Sequence, residues 1–244
     1  MKIAVDTHTH SIASGHAYST IDELAKGARK SRLKGFVLTE HGPALQGGAP
    51  HPYYFANLRV LPEKLHGVRL FHGVELNVID DEGGVDLLPR YVRHLDFVMC
   101  GLHESCFPPR DLAENTKALL AIIANPLVDA IAHPGNPAYP VDIEEVVKTA
   151  VRYRKALEIN NSSFLVSRRG SEANCRKVAE LSCKYGALLV CGTDAHYWRS
   201  VGNFKEALSI INDAHIHPDQ VINSSYNKFI EFIERRKMER RAVG

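Results

Sequence analysis

The chain has 244 residues, 45% hydrophobic and 24% charged, with 30 basic residues against 28 acidic ones for a net charge of +2. This composition excludes disordered, collagen-like and coiled-coil classes, and a near-zero net charge gives no electrostatic footprint for nucleic acid. One α/β domain over residues 1–244 is expected, long enough to bury roughly 75% of its unfolded surface.

At the amino terminus, Asp6 interrupts the apolar stretch well before the roughly 7 to 15 residues of a secretory leader, and no run approaches the ~20 apolar residues of a membrane span. The five cysteines, Cys100, Cys106, Cys175, Cys183 and Cys191, contain no C-x-x-C pair. A cytoplasmic setting without a membrane partner is expected. Short apolar runs then read as seven strands, at 3–5, 36–38, 68–78 (interrupted by His72 and Gly73), 97–100, 128–132, 156–159 and 187–191. Helical spacing fills the gaps at 20–34, 53–65, 111–124, 142–153, 171–185 and 203–213, with a last helix near 226–240 ending in a basic tail. Thr20 ahead of Asp22 and Glu23, and Ser171 ahead of Glu172, look like helix starts. Repeated βα units with near-continuous apolar strands predict a parallel sheet covered by helices, and the absence of a G-x-G-x-x-G turn favours a closed barrel over an open dinucleotide-binding sheet.

The 13 histidines are the unusual count. Seven of them follow the strands: His8, His10 and His16 in the first connection, His41 in Thr39-Glu40-His41-Gly42, His103 in Gly101-Leu102-His103-Glu104, His133 in Ala132-His133-Pro134-Gly135, and His196 in Gly192-Thr193-Asp194-Ala195-His196. Strand three adds Glu75. In a parallel barrel all carboxyl ends open on one face. Residues i and i+2 of an extended segment point the same way, so His8 with His10, and Asp194 with His196, can each share an ion. The nine donors exceed the roughly four to six positions of one metal, which predicts a cluster of two or three ions with Glu75 and Asp194 as bridges, since a carboxylate has two oxygens to share. The other six histidines read as ordinary, with His66 and His94 in or beside polar helices, His72 in a strand, His215 and His217 flanking the last connection, and His51 a candidate cavity-lining residue.

These motifs resemble those of the PHP (polymerase and histidinol phosphatase) superfamily from about Asp6 to His196. Residues His16-Ala17-Tyr18-Ser19, His133-Pro134-Gly135-Asn136-Pro137 and Glu158-Ile159-Asn160-Asn161-Ser162-Ser163-Phe164 resemble its YcdX-type single-domain phosphatases. The resemblance implies a distorted TIM-like (β/α)7 barrel, three zinc ions per chain (Mn or Fe being alternatives), phosphoesterase activity and, in some members, a trimer. It also implies a ligand distribution: one ion on His8, His10, Glu75 and Asp194, a second on Glu75, His103 and His133, and a third on His16, His41 and His196. Glu40 departs from the family, which more often has aspartate there.

The expected reaction is hydrolysis of a small-molecule phosphomonoester by a metal-bound hydroxide, with His8, His10, Glu75, Asp194 and His196 as the catalytic set and no covalent phosphoenzyme. Asn160, Ser162, Arg168 and Arg169, after the sixth strand, are expected to hold substrate oxygens, and loops 42–52 and 106–110 to set specificity. The competing readings are a metal-dependent amidohydrolase acting on C–N bonds and a catalytically inert metal-binding module.

Overall fold

The computed structural model describes residues 1–47 and 51–242. In chain order the elements are β1 (Val5–Thr9), α1 (Ile21–Lys30), β2 (Gly35–Leu38), α2 (Tyr53–Asn57), β3 (Lys64–Leu65), β4 (Val68–Asn77), α3 (Pro89–Val92), β5 (Phe97–Gly101), α4 (Leu112–Ala124), β6 (Ala130–Ile131), α5 (Ile143–Tyr153), β7 (Ala156–Asn160), α6 (Ser162–Leu165), α7 (Ser171–Tyr185), β8 (Leu188–Gly192), α8 (Lys205–Asp213) and α9 (Tyr226–Ala242). Seven strands pair in parallel in the order β1-β2-β4-β5-β6-β7-β8. The ends meet where His10 N donates to Ala195 O (3.0 Å) and Ala195 N to His8 O (3.3 Å), which nearly closes a distorted (β/α)7 barrel. Among the described residues no helix is long and apolar enough to cross a membrane.

Several elements differ from the sequence expectation for identifiable reasons. The segment 53–65 is not one helix: it breaks into α2, a 3-10 turn at Leu58–Val60 and β3, which pairs antiparallel with β4. Pro62 is the cause, because the residue before a proline is driven out of the helical region, and Leu61 has ψ 144°. Strand β1 runs through the first histidine motif instead of ending before it. Thr20 caps α1 with a full capping box, but Ser171 is not a cap: Gly170 holds that position at φ 89°, and Ser171 Oγ donates back to Arg168 O at 2.6 Å. His66 lies in the β3–β4 turn at φ 51°, not in a helix, and its ring bonds Asp22.

Side chains alternate across each strand. Leu70, Val74, Leu76, Val98, Cys100, Leu157, Ile159, Leu189 and Cys191 face the helix layer, whereas Val5, Val37, Phe71, Phe97, Met99 and Val190 face inward. The inward apolar set occupies the amino-terminal half of the barrel, and α9 seals that mouth: the Phe229 ring packs 5.2 Å from Phe71 and 5.7 Å from Phe97. Two arginines of the basic tail expected of α9 are buried. Arg236 and Arg240 are at most 3% exposed and both donate to the fully buried Asp129, just ahead of β6. The interior of the carboxyl-terminal half is left to polar groups.

Candidate metal centre

A β-bulge aims the first two histidines. Between Asp6 and Thr9, β1 carries one residue more than β2, so Val5 and His8 both face the interior although they are three positions apart. His8 and His10 then share a side. At the ends of the next two strands, β2 and β4, Glu75 N donates to Glu40 O (3.0 Å) and Gly42 N to Glu75 O (2.8 Å), which sets His41 beside Glu75. His133 and Asp194, just beyond their strands, have positive φ of 34° and 52°. Such backbone costs about 1–3 kcal/mol per residue and persists only where the surroundings enforce it. Glycine provides room for this crowding: a Cβ on Gly192 would sit 2.1 Å from Glu158 Oε1 and 2.6 Å from the His8 Cβ.

Both carboxylates predicted as bridges are hubs. Glu75 Oε1 lies 2.9 Å from His133 Nε2 and 3.2 Å from His103 Nε2, while its Oε2 lies 3.0 Å from His41 Nδ1 and 3.1 Å from His8 Nε2. Asp194 Oδ1 is 3.2 Å from His10 Nε2 and 3.4 Å from His8 Nε2. Three groups have donor atoms within 4.8 Å of one another: His8, His10 and Asp194; His41, Glu75 and His103; and His10, His41 and His196. The exposed His16 ring completes the last group at its rim, 4.7 Å from His196 and 5.1 Å from His41 between ring centroids.

The residues present fit divalent ions. His10 Nε2, His41 Nδ1 and His103 Nε2 are buried and make no hydrogen bond among the described residues, yet each faces a carboxylate. Buried ring nitrogens need a partner, and a cation between ring and carboxylate satisfies both. The opposite nitrogens are already committed: His8 Nδ1 pairs with Glu158 Oε1 (2.7 Å), His103 Nδ1 with Asn77 Oδ1 (2.7 Å) and His10 Nδ1 with Ser14 Oγ (3.2 Å). On His10 and His103 this favours the tautomer that leaves the Nε2 lone pair facing inward. Glu40, the departure from the family pattern, is buried and accepts from the Ser11 and Ser14 hydroxyls, so it anchors the serine behind His10.

Electrostatics follow the same division. Burial works against ionising Glu75 and Asp194, but the facing imidazoles, His8 foremost, hold both pKa values well below the usual carboxylate range. Burial lowers His133 to about 4, aided by the Arg168 charge, and lowers His10 well below its ordinary value, aided by His41. Both therefore reach neutral pH as neutral imidazoles, the form a metal accepts. Burial also opposes charge on His8, yet Glu158, Glu75 and Asp194 outweigh it and raise its pKa.

Sequence reasoning missed Glu158, Asn77 and Ser14. Glu158 had a signal: a charged residue inside the apolar run 156–159 has to be buried with partners, and it accepts from His8, from His133 N and from Asn160. Of the expected substrate contacts, Arg168 donates to Asp194 Oδ2 at 3.0 Å, and exposed Arg169 lines a cavity of about 360 Å3 with His103, Glu104 and Asn136. Ser162 lines a second cavity, whereas Asn160 is fully buried and reaches the site through Asp194 and Glu158. Loop 106–110 lines neither cavity, and residues 48–50 of the other expected loop lie outside the described residues. His51 is exposed and stacks on Tyr53 at 5.0 Å.

The pattern of the PHP domain matches residues 6–162, more than half of the chain. The chain belongs to the PHP domain family. A protein of Acetivibrio thermocellus named probable phosphatase is 49% identical over 97% of this chain and 98% of its own length. A probable phosphatase of Shewanella oneidensis is 46% identical over 96% and 92%. Among solved structures, histidinol phosphate phosphatase from Lactococcus lactis, crystallised with zinc, L-histidinol and phosphate, superposes with a TM-score of 0.62 at 17% identity, covering 89% of this chain and 95% of that one. At that identity the likeness speaks to the PHP barrel alone.

Proposed function

We propose that this PHP protein is a metal-dependent phosphomonoesterase, that residues 1–244 work as one domain, and that the substrate is a small phosphorylated molecule. The single observation that carries the reading is the convergence of His8, His10, His16, His41, Glu75, His103, His133, Asp194 and His196 around two carboxylate hubs, with inward ring nitrogens left unpaired. Three divalent ions suit nine donors, with zinc foremost and Mn or Fe as substitutes. Such ions, when bound, lower the pKa of water from ~15.7 toward ~7 and neutralise phosphoryl charge. His8, His10, Glu75, Asp194 and His196 form the catalytic set. The relatives named probable phosphatase support the phosphoester assignment.

The chain's own residues account for the rest. Arg168, held by one nitrogen on Asp194, keeps further guanidinium donors for phosphoryl oxygens, and Arg169 supplies a second guanidinium on the same side. Ser162 offers a hydroxyl from the other side, and Asn160 keeps Asp194 oriented. All five thiols are free, which suits a reducing cytoplasm, and the family resemblance points to a trimer.

The test is elemental analysis of the purified protein, joined to a panel of phosphate esters and amides assayed before and after chelation. Phosphate ester turnover that disappears on metal removal and returns with zinc or manganese is the expected result. Activity that survives complete metal removal, or turnover of amides only, would overturn the proposal.

A further inference from the structure

The two cavities beside the centre differ in chemistry. The one bordered by Arg169 also carries Glu104 and Asn136, charged and polar groups. The other, about 290 Å3, runs outward from Asp194 and His196, and among the described residues these are its only lining groups with a charged or ionisable side chain besides two tyrosines. Its mouth carries four large apolar side chains beside the small polar Ser167, Ser200 and Asn203: Tyr18, Leu165, Val166 and Tyr197 are 78, 54, 79 and 44% exposed. Large apolar side chains normally scatter singly over a surface, whereas four around one mouth, drawn from three separate segments, mark a binding surface.

Several polar groups of this cavity are already engaged. Asn161 Oδ1 accepts from Glu206 N and Ala207 N (3.0 Å each), Thr193 Oγ1 donates to Asp6 Oδ2 (2.6 Å), and the Ser162 and Ser167 hydroxyls bond each other (2.7 Å). The Asn161 carbonyl and the Thr193 hydroxyl proton are thereby used, and the Ser162 hydroxyl keeps capacity for one further hydrogen bond. A cavity on the order of 150 Å3 already accommodates a benzene ring, so the available space takes one or two rings.

We infer that this cavity receives the leaving group and that the preferred substrates are phosphomonoesters of an aromatic or otherwise apolar alcohol. The inference rests on the phosphomonoesterase reading above. Continuity of the concave surface with Asp194 and His196 selects a small molecule as the occupant over a second copy of the chain.

Calorimetric titration of the zinc-loaded protein with phenylphosphonate and methylphosphonate, neither of which turns over, provides the test. The parent protein should prefer the phenyl compound by about tenfold, the worth of burying one ring face. The doubly substituted Tyr18→Ala, Val166→Ser protein, and separately Tyr197→Ala, should lose most of that preference while methylphosphonate affinity stays within about twofold, since only apolar contact is removed. Tyr18 and Val166 are exposed enough for the double variant to fold. Equal affinities in the parent, variants that weaken both ligands alike, or a changed sedimentation state that makes the rim a subunit contact would overturn the inference and leave the phosphoester reading standing. Failure of the zinc-loaded parent to bind either phosphonate would remove both.

Discussion

Glu158 shows how much of the centre rests on groups that touch no substrate. Its Oε1 holds His8 Nδ1 at 2.7 Å and its Oε2 accepts from His133 N at 2.8 Å, so one carboxylate orients two predicted ligands. Substituting Glu158→Gln keeps the size but removes the charge that favours the required His8 tautomer. Metal affinity is expected to fall about 10- to 100-fold, the usual effect of losing such a partner, as read by competition with a chromophoric chelator. Unchanged affinity would show that the His8 ring is positioned without it. At this scale the seven strand-end histidines were legible in the sequence, because side chains at equivalent positions of a βα repeat recur with a regular spacing. Ser14 and Asn77 were not legible, since a serine and an asparagine near a turn or a strand end are ordinary until the fold places them against a ring nitrogen.

Among the elements, α9 departs furthest from its sequence appearance. Charges along its whole length hide any apolar stripe, yet Phe229, Phe232 and Ile233 enter the barrel core and Arg236 and Arg240 reach Asp129. Only the tertiary contact separates these two arginines from their exposed neighbours. Asp129→Asn strands the fully buried Arg240 guanidinium without a counter-charge and leaves Arg236 only Glu239, a change expected to cost about 3–5 kcal/mol of stability. Urea denaturation monitored by circular dichroism measures it, and a loss below about 1 kcal/mol, the range of a surface pair, would show that α9 docks through its apolar residues alone. The segment 53–65 teaches the converse lesson: Pro62 stood in plain view, and local sterics overruled the helical spacing around it.

For the whole molecule, the barrel separates an apolar, α9-sealed half from a polar half that holds the site. The sealed end carries a pH signature. Lys155, buried and donating to Asn125 O and Val128 O, has its pKa lowered by burial, with help from Arg236, from 10.5 to about 7. Between about 7 and 10.5 the unfolded chain keeps a proton that the folded chain has released, so this group makes stability rise with pH across that window and contributes no slope below it. The urea midpoint is expected to increase from pH 7 to pH 9, and Lys155→Met should flatten that rise. An identical slope in the variant would assign the effect to other groups.

The sequence by itself determined the βα alternation, the seven parallel strands and nearly all of the histidines and carboxylates that converge on one face, because apolar periodicity and strand-end position are local properties. Tertiary structure decided what locality cannot encode: the bulge that turns His8 inward, the left-handed backbone at His133 and Asp194, and the arrival of Glu158 beside a histidine 150 positions away. Each depends on chain closure around the barrel, and a ring of strands brings together residues whose separation in sequence carries no record of their distance in space.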